Sequence, residues 1–164
     1  MGRKQSLKKL AAILVCGVGM FQMTVIPAAA ETSEDSPYLW ETFADENTDT
    51  VENVATPRAR GDVLNRGYVR LSNVNGRASI YGETLGNYRS DEIGLELYLD
   101  KYNGTTFNSY DDWSYVGYNV YDVDASLTVS VPKGYYYSLQ GYHYVSDDGL
   151  FEAVSTMTDG LPIK

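Results

Sequence analysis

One cysteine, Cys16, and one histidine, His143, are all that the 164 residues contain of the two side chains most used to bind zinc. Cys16 lies in the first thirty residues, which read as a segment removed on export. The remainder therefore has no disulfide, no thiol nucleophile and no thiolate metal site. Positive charge is also scarce, with 13 Lys and Arg against 22 Asp and Glu and a formal net charge of −9. Four of the basic residues fall in the leader and no acidic one does, so 9 stand against 22 in the exported part, a charge of −13. A chain this acidic is repelled by nucleic acid and by anionic membrane surfaces, which excludes both as partners. No convincing helical stripe occurs beyond Asp62, and no Gly-x-Ser-x-Gly elbow is present.

What is there begins with an export signal over residues 1–30. Arg3, Lys4, Lys8 and Lys9 form a basic start, Leu10 to Ile26 is nearly all apolar, and Ala28-Ala29-Ala30 offers the small-x-small cleavage site. Cleavage after Ala30 leaves 134 residues, enough for one domain with its own core. From Glu31 to Thr56 the chain carries eight acidic residues and no Lys or Arg. Like charges and little apolar surface make residues 31–61 an acidic flexible arm and linker. Tyr38-Leu39-Trp40 with Phe43 interrupts the acidity, either as a patch that docks on the domain or as a recognition peptide. Thr56-Pro57-Arg58-Ala59-Arg60-Gly61-Asp62 reverses the charge and marks the domain boundary. Its arginines suit a protease, and Arg60-Gly61-Asp62 matches a three-residue integrin motif too short to carry weight.

Residues 62–164 show a period of two and frequent turn signals, the pattern of an antiparallel β-sandwich of about seven strands. The first strand runs from Leu64 to Val74, Asn75-Gly76 supplies a tight hairpin turn, and Arg77 to Leu85 continues. Ile93, Leu95, Leu97 and Leu99 alternate with polar residues in a third strand, and Trp113 to Asp122 forms a fourth. A fifth buries Leu127, Val129 and Val131. In Val131-Pro132-Lys133-Gly134-Tyr135-Tyr136-Tyr137-Ser138-Leu139, a Tyr three residues after the Gly can return its hydroxyl to the corner backbone. That resembles the tyrosine corner of immunoglobulin-like and fibronectin type III sandwiches, with Tyr137 as the corner residue.

The chain also resembles a family of small secreted proteins of Gram-positive Firmicutes whose domain has no assigned function. The resemblance runs through the leader, Tyr38-Leu39-Trp40-Glu41-Thr42-Phe43-Ala44, Thr56-Pro57-Arg58 and Leu97-Tyr98-Leu99-Asp100-Lys101-Tyr102-Asn103-Gly104. It continues through Lys133-Gly134-Tyr135-Tyr136-Tyr137, His143 and Thr158-Asp159-Gly160-Leu161-Pro162-Ile163, and it implies no catalytic or ligand residues.

Three constellations bear on chemistry. His143 shares a strand side with Leu139, Gly141 and Val145, which suits a hydrogen-bonded core or rim residue better than a catalytic base. Asp111-Asp112, Asp122 with Asp124, and Asp147-Asp148 read as turn residues, with a weak loop Ca²⁺ site as the functional alternative. All 15 tyrosines lie beyond the leader. If Tyr137 and Leu139 face inward, Tyr136, Tyr142 and Tyr144 line the opposite face, where such rings stack on sugars or anchor a protein. These features lead to a secreted or cell-surface binding module that is not an enzyme, with Tyr136, Tyr142 and Tyr144 as ligand-binding residues. No cofactor or metal is expected, the chain reads as a monomer, and the partner is a glycan or a protein at the cell surface. The alternative is a secreted effector or bacteriocin-like protein released by cleavage in the Arg58–Gly61 linker.

Overall fold

The computed structural model describes residues 42–58 and 61–164. The expected signal peptide, Tyr38-Leu39-Trp40 and Arg60 lie outside them. Seven strands account for most of the described chain: β1 (Thr50–Ala55), β2 (Leu64–Val74), β3 (Arg77–Tyr102), β4 (Phe107–Val129), β5 (Tyr135–Asp147), β6 (Leu150–Met157) and β7 (Leu161–Ile163). All their pairings are antiparallel. The all-β class is the one the alternation predicts; six of the strands lie in residues 62–164 and β1 precedes them, and all seven join in one sheet that is nearly barrel-like.

β3 and β4 form a long two-stranded ribbon. On its other edge β3 takes β2 along its first half and β5 along its second, with β1 beyond β2 and β6 beyond β5. The ribbon bends near residues 86–90, where β3 uses three more residues than β4 between the pairs Leu85↔Asp122 and Ser90↔Val120. The bend sets β1 and β2 opposite β5 and β6. It also changes which residues of β3 point inward. Ala78, Ile80 and Thr84 are buried before it, and Ile93, Leu95, Leu97 and Leu99 after it, so the inward parity passes from even to odd. Sequence alternation therefore divides β3 into two strands, and the structure shows one.

The core fills the space between the two limbs of the curled sheet. Val69, Leu71 and Ile80 from the first limb meet Leu95, Leu97, Leu99 and Leu139 from the second. Each such side chain contributes roughly 1.5–3 kcal/mol on burial, so the clamp holds without disulfides. Asn75 and Gly76 adopt φ of 54° and 72°, the pair of positive values a two-residue hairpin turn needs. Tyr137 is fully buried and its Oη donates to the Pro132 carbonyl at 2.8 Å, so the tyrosine corner forms as expected.

Two expectations are corrected. Residues 50–55, assigned to a flexible arm, form β1, which pairs with Ser72 through Gly67 of β2 and buries Val51. Phe43 also docks, its ring 4.9 Å from that of Tyr136 and 5.0 Å from that of Tyr102. Backbone pairing and one buried valine outweigh an acidic composition whose charges, such as Glu52, point to solvent. The Arg58–Gly61 linker thus joins two paired strands, β1 and β2. The second correction concerns Asp111, Asp112, Asp122 and Asp124, which lie within β4 and not at turns. Among the described residues β4 pairs only with β3. Charges along such a long open edge discourage pairing with other chains.

Candidate functional site

The outer face of the second limb gathers aromatic rings from four strands. Register fixes the rows. Phe151 of β6 pairs with Ser146 of β5, which pairs with Glu92 of β3, which pairs with Tyr118 of β4. The next row is Ala153, Tyr144, Gly94 and Val116, and the one after is Ser155, Tyr142, Glu96 and Ser114. Tyr98 follows, between Gln140 and Asp112.

Gly94 is the centre of this face. A Cβ on it would stand 1.9 Å from Cε1 of Tyr144, because the Tyr144 ring lies flat across the glycine. The ring stacks on Phe151 at 5.8 Å with an interplanar angle of 24°, and Tyr142 stands 6.1 Å away. The Tyr144 hydroxyl donates to Glu92 Oε1 at 2.8 Å, and the Tyr98 hydroxyl donates to Glu96 Oε2. Burial, the bond to Glu92 and the neighbouring charges push the Tyr144 hydroxyl up to about 12. The bond to Glu96, followed by burial, does the same for Tyr98, to about 12. Both hydroxyls therefore stay protonated as donors and hold the carboxylates in place. Exposure is high at Tyr118, 69%, and Phe151, 59%, with Val116 and Tyr98 also exposed. The face is an aromatic surface with two fixed carboxylates, suited to stacking and to charge-assisted hydrogen bonds.

Tyr142 and Tyr144, two of the three tyrosines expected to bind a ligand, stand together here. Tyr136 does not join them. It lies at the other end of β5, paired with Pro162 of β7 and covered by Phe43. Tyr98, Tyr118, Phe151, Glu92 and Glu96 complete the face, and sequence reading passed over them. Their alternation along each strand was visible, but which strands lie side by side was not.

His143 is fully buried between the limbs. The Thr84 hydroxyl donates to the Gly94 carbonyl at 2.9 Å, so its oxygen accepts the Nδ1 proton of His143 at 2.9 Å. Nε2 then accepts from the Thr156 hydroxyl at 2.8 Å. Burial lowers the imidazole to about 4, opposed by a hydrogen bond with the Glu83 backbone. A Cβ at Gly67 of β2 would stand 2.3 Å from Cδ2 of the ring, so the imidazole is packed against backbone. It is the hydrogen-bonded core residue the strand pattern suggests.

Asp147 Oδ1 accepts the Asp91 N–H at 2.9 Å, and Asp91 Oδ2 accepts that of Asp148 at 3.2 Å, which ties the β5–β6 turn to β3. Among the described residues no three His, Cys, Asp or Glu converge as metal ligands. Glu152 anchors the start of β2, where its carboxylate accepts the N–H groups of Asp62, Val63 and Leu64 at 2.8, 3.0 and 2.7 Å. Burial raises its pKa, and those three bonds more than offset the rise, so the group sits below the ordinary carboxylate value.

Fold and face together define a small antiparallel all-β domain with an open aromatic surface. The chain belongs to the family of unknown function DUF6147, whose model matches residues 27–160. No curated protein matches it.

Proposed function

We propose that this protein is an exported, non-catalytic binding module of a Gram-positive bacterium, acting at the cell surface or in the medium. The observation that carries the reading is the ring cluster of Tyr98, Tyr118, Tyr142, Tyr144 and Phe151 on one open sheet face. Tyr144 is held by Gly94 beneath it, Phe151 beside it and Glu92 at its tip, so little side-chain entropy remains to be lost on binding. The one imidazole is sealed in the core, out of a substrate's reach, which favours binding over catalysis. The basic, apolar and small-residue segments of residues 1–30 support export.

The test is retention of the purified domain on cell-wall material and on a glycan array, beside a Tyr142→Ala/Tyr144→Ala variant. Native binding that falls at least tenfold in the variant, with an unchanged thermal midpoint, is the expected result. Absence of native binding to wall material, glycans and surface proteins would reject the reading.

A further inference from the structure

The outer face of the first limb is built from the same parts as the aromatic face, and it supplies its own cations. Arg70 lies over the Tyr81 ring at 5.3 Å, and Arg66 pairs with Glu83 at 2.8 Å. Tyr68 donates to Glu52 at 2.6 Å, so tyrosine, carboxylate and guanidinium alternate across that surface. The aromatic face has the tyrosines and the carboxylates but not the third part. Its outward positions are Glu92, Gly94, Glu96 and Tyr98 on β3, and Asp112, Ser114, Val116 and Tyr118 on β4. On β5 they are Gln140, Tyr142, Tyr144 and Ser146, and on β6 Phe151, Ala153, Ser155 and Met157. None is Lys or Arg.

We propose that the partner provides the cations, and that the face docks a basic peptide in extended conformation. This rests on the binding-module reading and names the class of its ligand. Along β3 the surface runs Glu92, the Tyr144 ring over Gly94, Glu96, Tyr98. Alternate residues of a strand lie about 7 Å apart, so Glu92 and Glu96 stand roughly 13 Å from one another. An extended peptide repeats at the same spacing. Lys or Arg at its positions i and i+4 meets the two carboxylates, and the residue between them lies against the Tyr144 ring. A third cation near Tyr118 or Tyr142 gains a contact with a ring face of the kind Arg70 makes with Tyr81. The tyrosine hydroxyls occupy one side of each carboxylate and leave lone pairs for the incoming N–H groups.

The experiment uses the purified domain and synthetic peptides of about ten residues rich in Ser, Thr and Val. One carries Arg at i and i+4, a second carries the two Arg adjacent, and a third has Gln in their place; a neutral oligosaccharide completes the set. The i,i+4 peptide is expected to bind at least tenfold more tightly than the other two, to weaken as salt rises, and to perturb the ring signals of Tyr98, Tyr142 and Tyr144 in NMR spectra. A Glu92→Gln/Glu96→Gln variant keeps an acceptor for each tyrosine while losing the charge, and it should lose at least tenfold of that affinity at an unchanged melting temperature. Equal binding of the Gln peptide, preference for the oligosaccharide, or indifference to the double variant would overturn the cationic ligand and leave the binding-module reading in place. Failure of every peptide, with the oligosaccharide and wall material also unbound, would overturn both.

Discussion

The two outer faces of this sheet differ in one component. On the first limb, Arg66 and Arg70 complement the carboxylates and rings around them, and Arg77 reaches the Thr128 carbonyl at 3.3 Å. On the second limb the same tyrosine–carboxylate pairs, Tyr144 with Glu92 and Tyr98 with Glu96, stand without a guanidinium. A surface that satisfies its own charges has little to gain from a partner. One that holds carboxylates against aromatic rings and lacks the counter-charge gains more from a cation brought to it.

Four experiments bear on this contrast. The largest effect concerns the joint that sets the limbs back to back, where His143 bridges Thr84 and Thr156. The folded protein binds a proton at His143 only near pH 4, whereas the unfolded chain does so near the ordinary 6.5. The unfolded state therefore takes up the extra proton between these values, and stability is complete above pH 6.5 and declines as pH falls towards 4. The loss at the acid end is about 3 kcal/mol. Asp100 acts in the opposite sense, since burial raises its pKa. Urea melts of the native protein and of His143→Gln across this range isolate the histidine, and the variant's curve should be flatter by that amount. Parallel curves would mean that His143 does not hold the joint in its neutral form.

Gly94→Val comes next. Its side chain would occupy the space of the Tyr144 ring, displacing it from Phe151 and Glu92. The expected cost is about 1–3 kcal/mol in a denaturant melt, together with loss of whatever ligand the face binds. An unchanged melt would show that the Tyr144 ring has room to move aside.

Third, Ser114→Arg places a guanidinium opposite Glu96 and gives the open face the part it lacks. Its effect on folding should be within about 0.5 kcal/mol, as for surface changes in general. Affinity for a basic peptide should fall about tenfold, a change of about 1.4 kcal/mol in binding, measured by titration calorimetry. Undiminished affinity would separate peptide binding from the charge of Glu96. The smallest effect is that of Arg70→Gln on the other face, where loss of an exposed cation–ring contact costs about 0.5–1 kcal/mol. If a basic peptide then binds that face as well, one missing cation accounts for the difference between the faces.

Legibility followed the range of the interactions. β2 was readable to its ends, and Asn75-Gly76 named its turn, because strand alternation and positive φ are local properties of the chain. Tyr137 could be assigned because its carbonyl partner, Pro132, lies only five residues away. β1 was hidden by its acidic surroundings, since nothing in Thr50–Ala55 announces that it pairs with Gly67 to Ser72 further along the chain. β3 and β4 were each divided, because the bend changes the inward parity of β3 and no local rule distinguishes that shift from a strand end.

Alternation, turn chemistry and composition were enough to establish an antiparallel β protein, the stretches that form its main strands, and the core-facing side on which His143 lies. The tertiary structure was needed to show that Tyr142 and Tyr144 share a surface with Tyr98, Tyr118 and Phe151 while Tyr136 lies under Phe43. A face is a set of neighbours across strands, and neighbours are set by register and strand order. Those depend on how the whole ribbon bends to close its core.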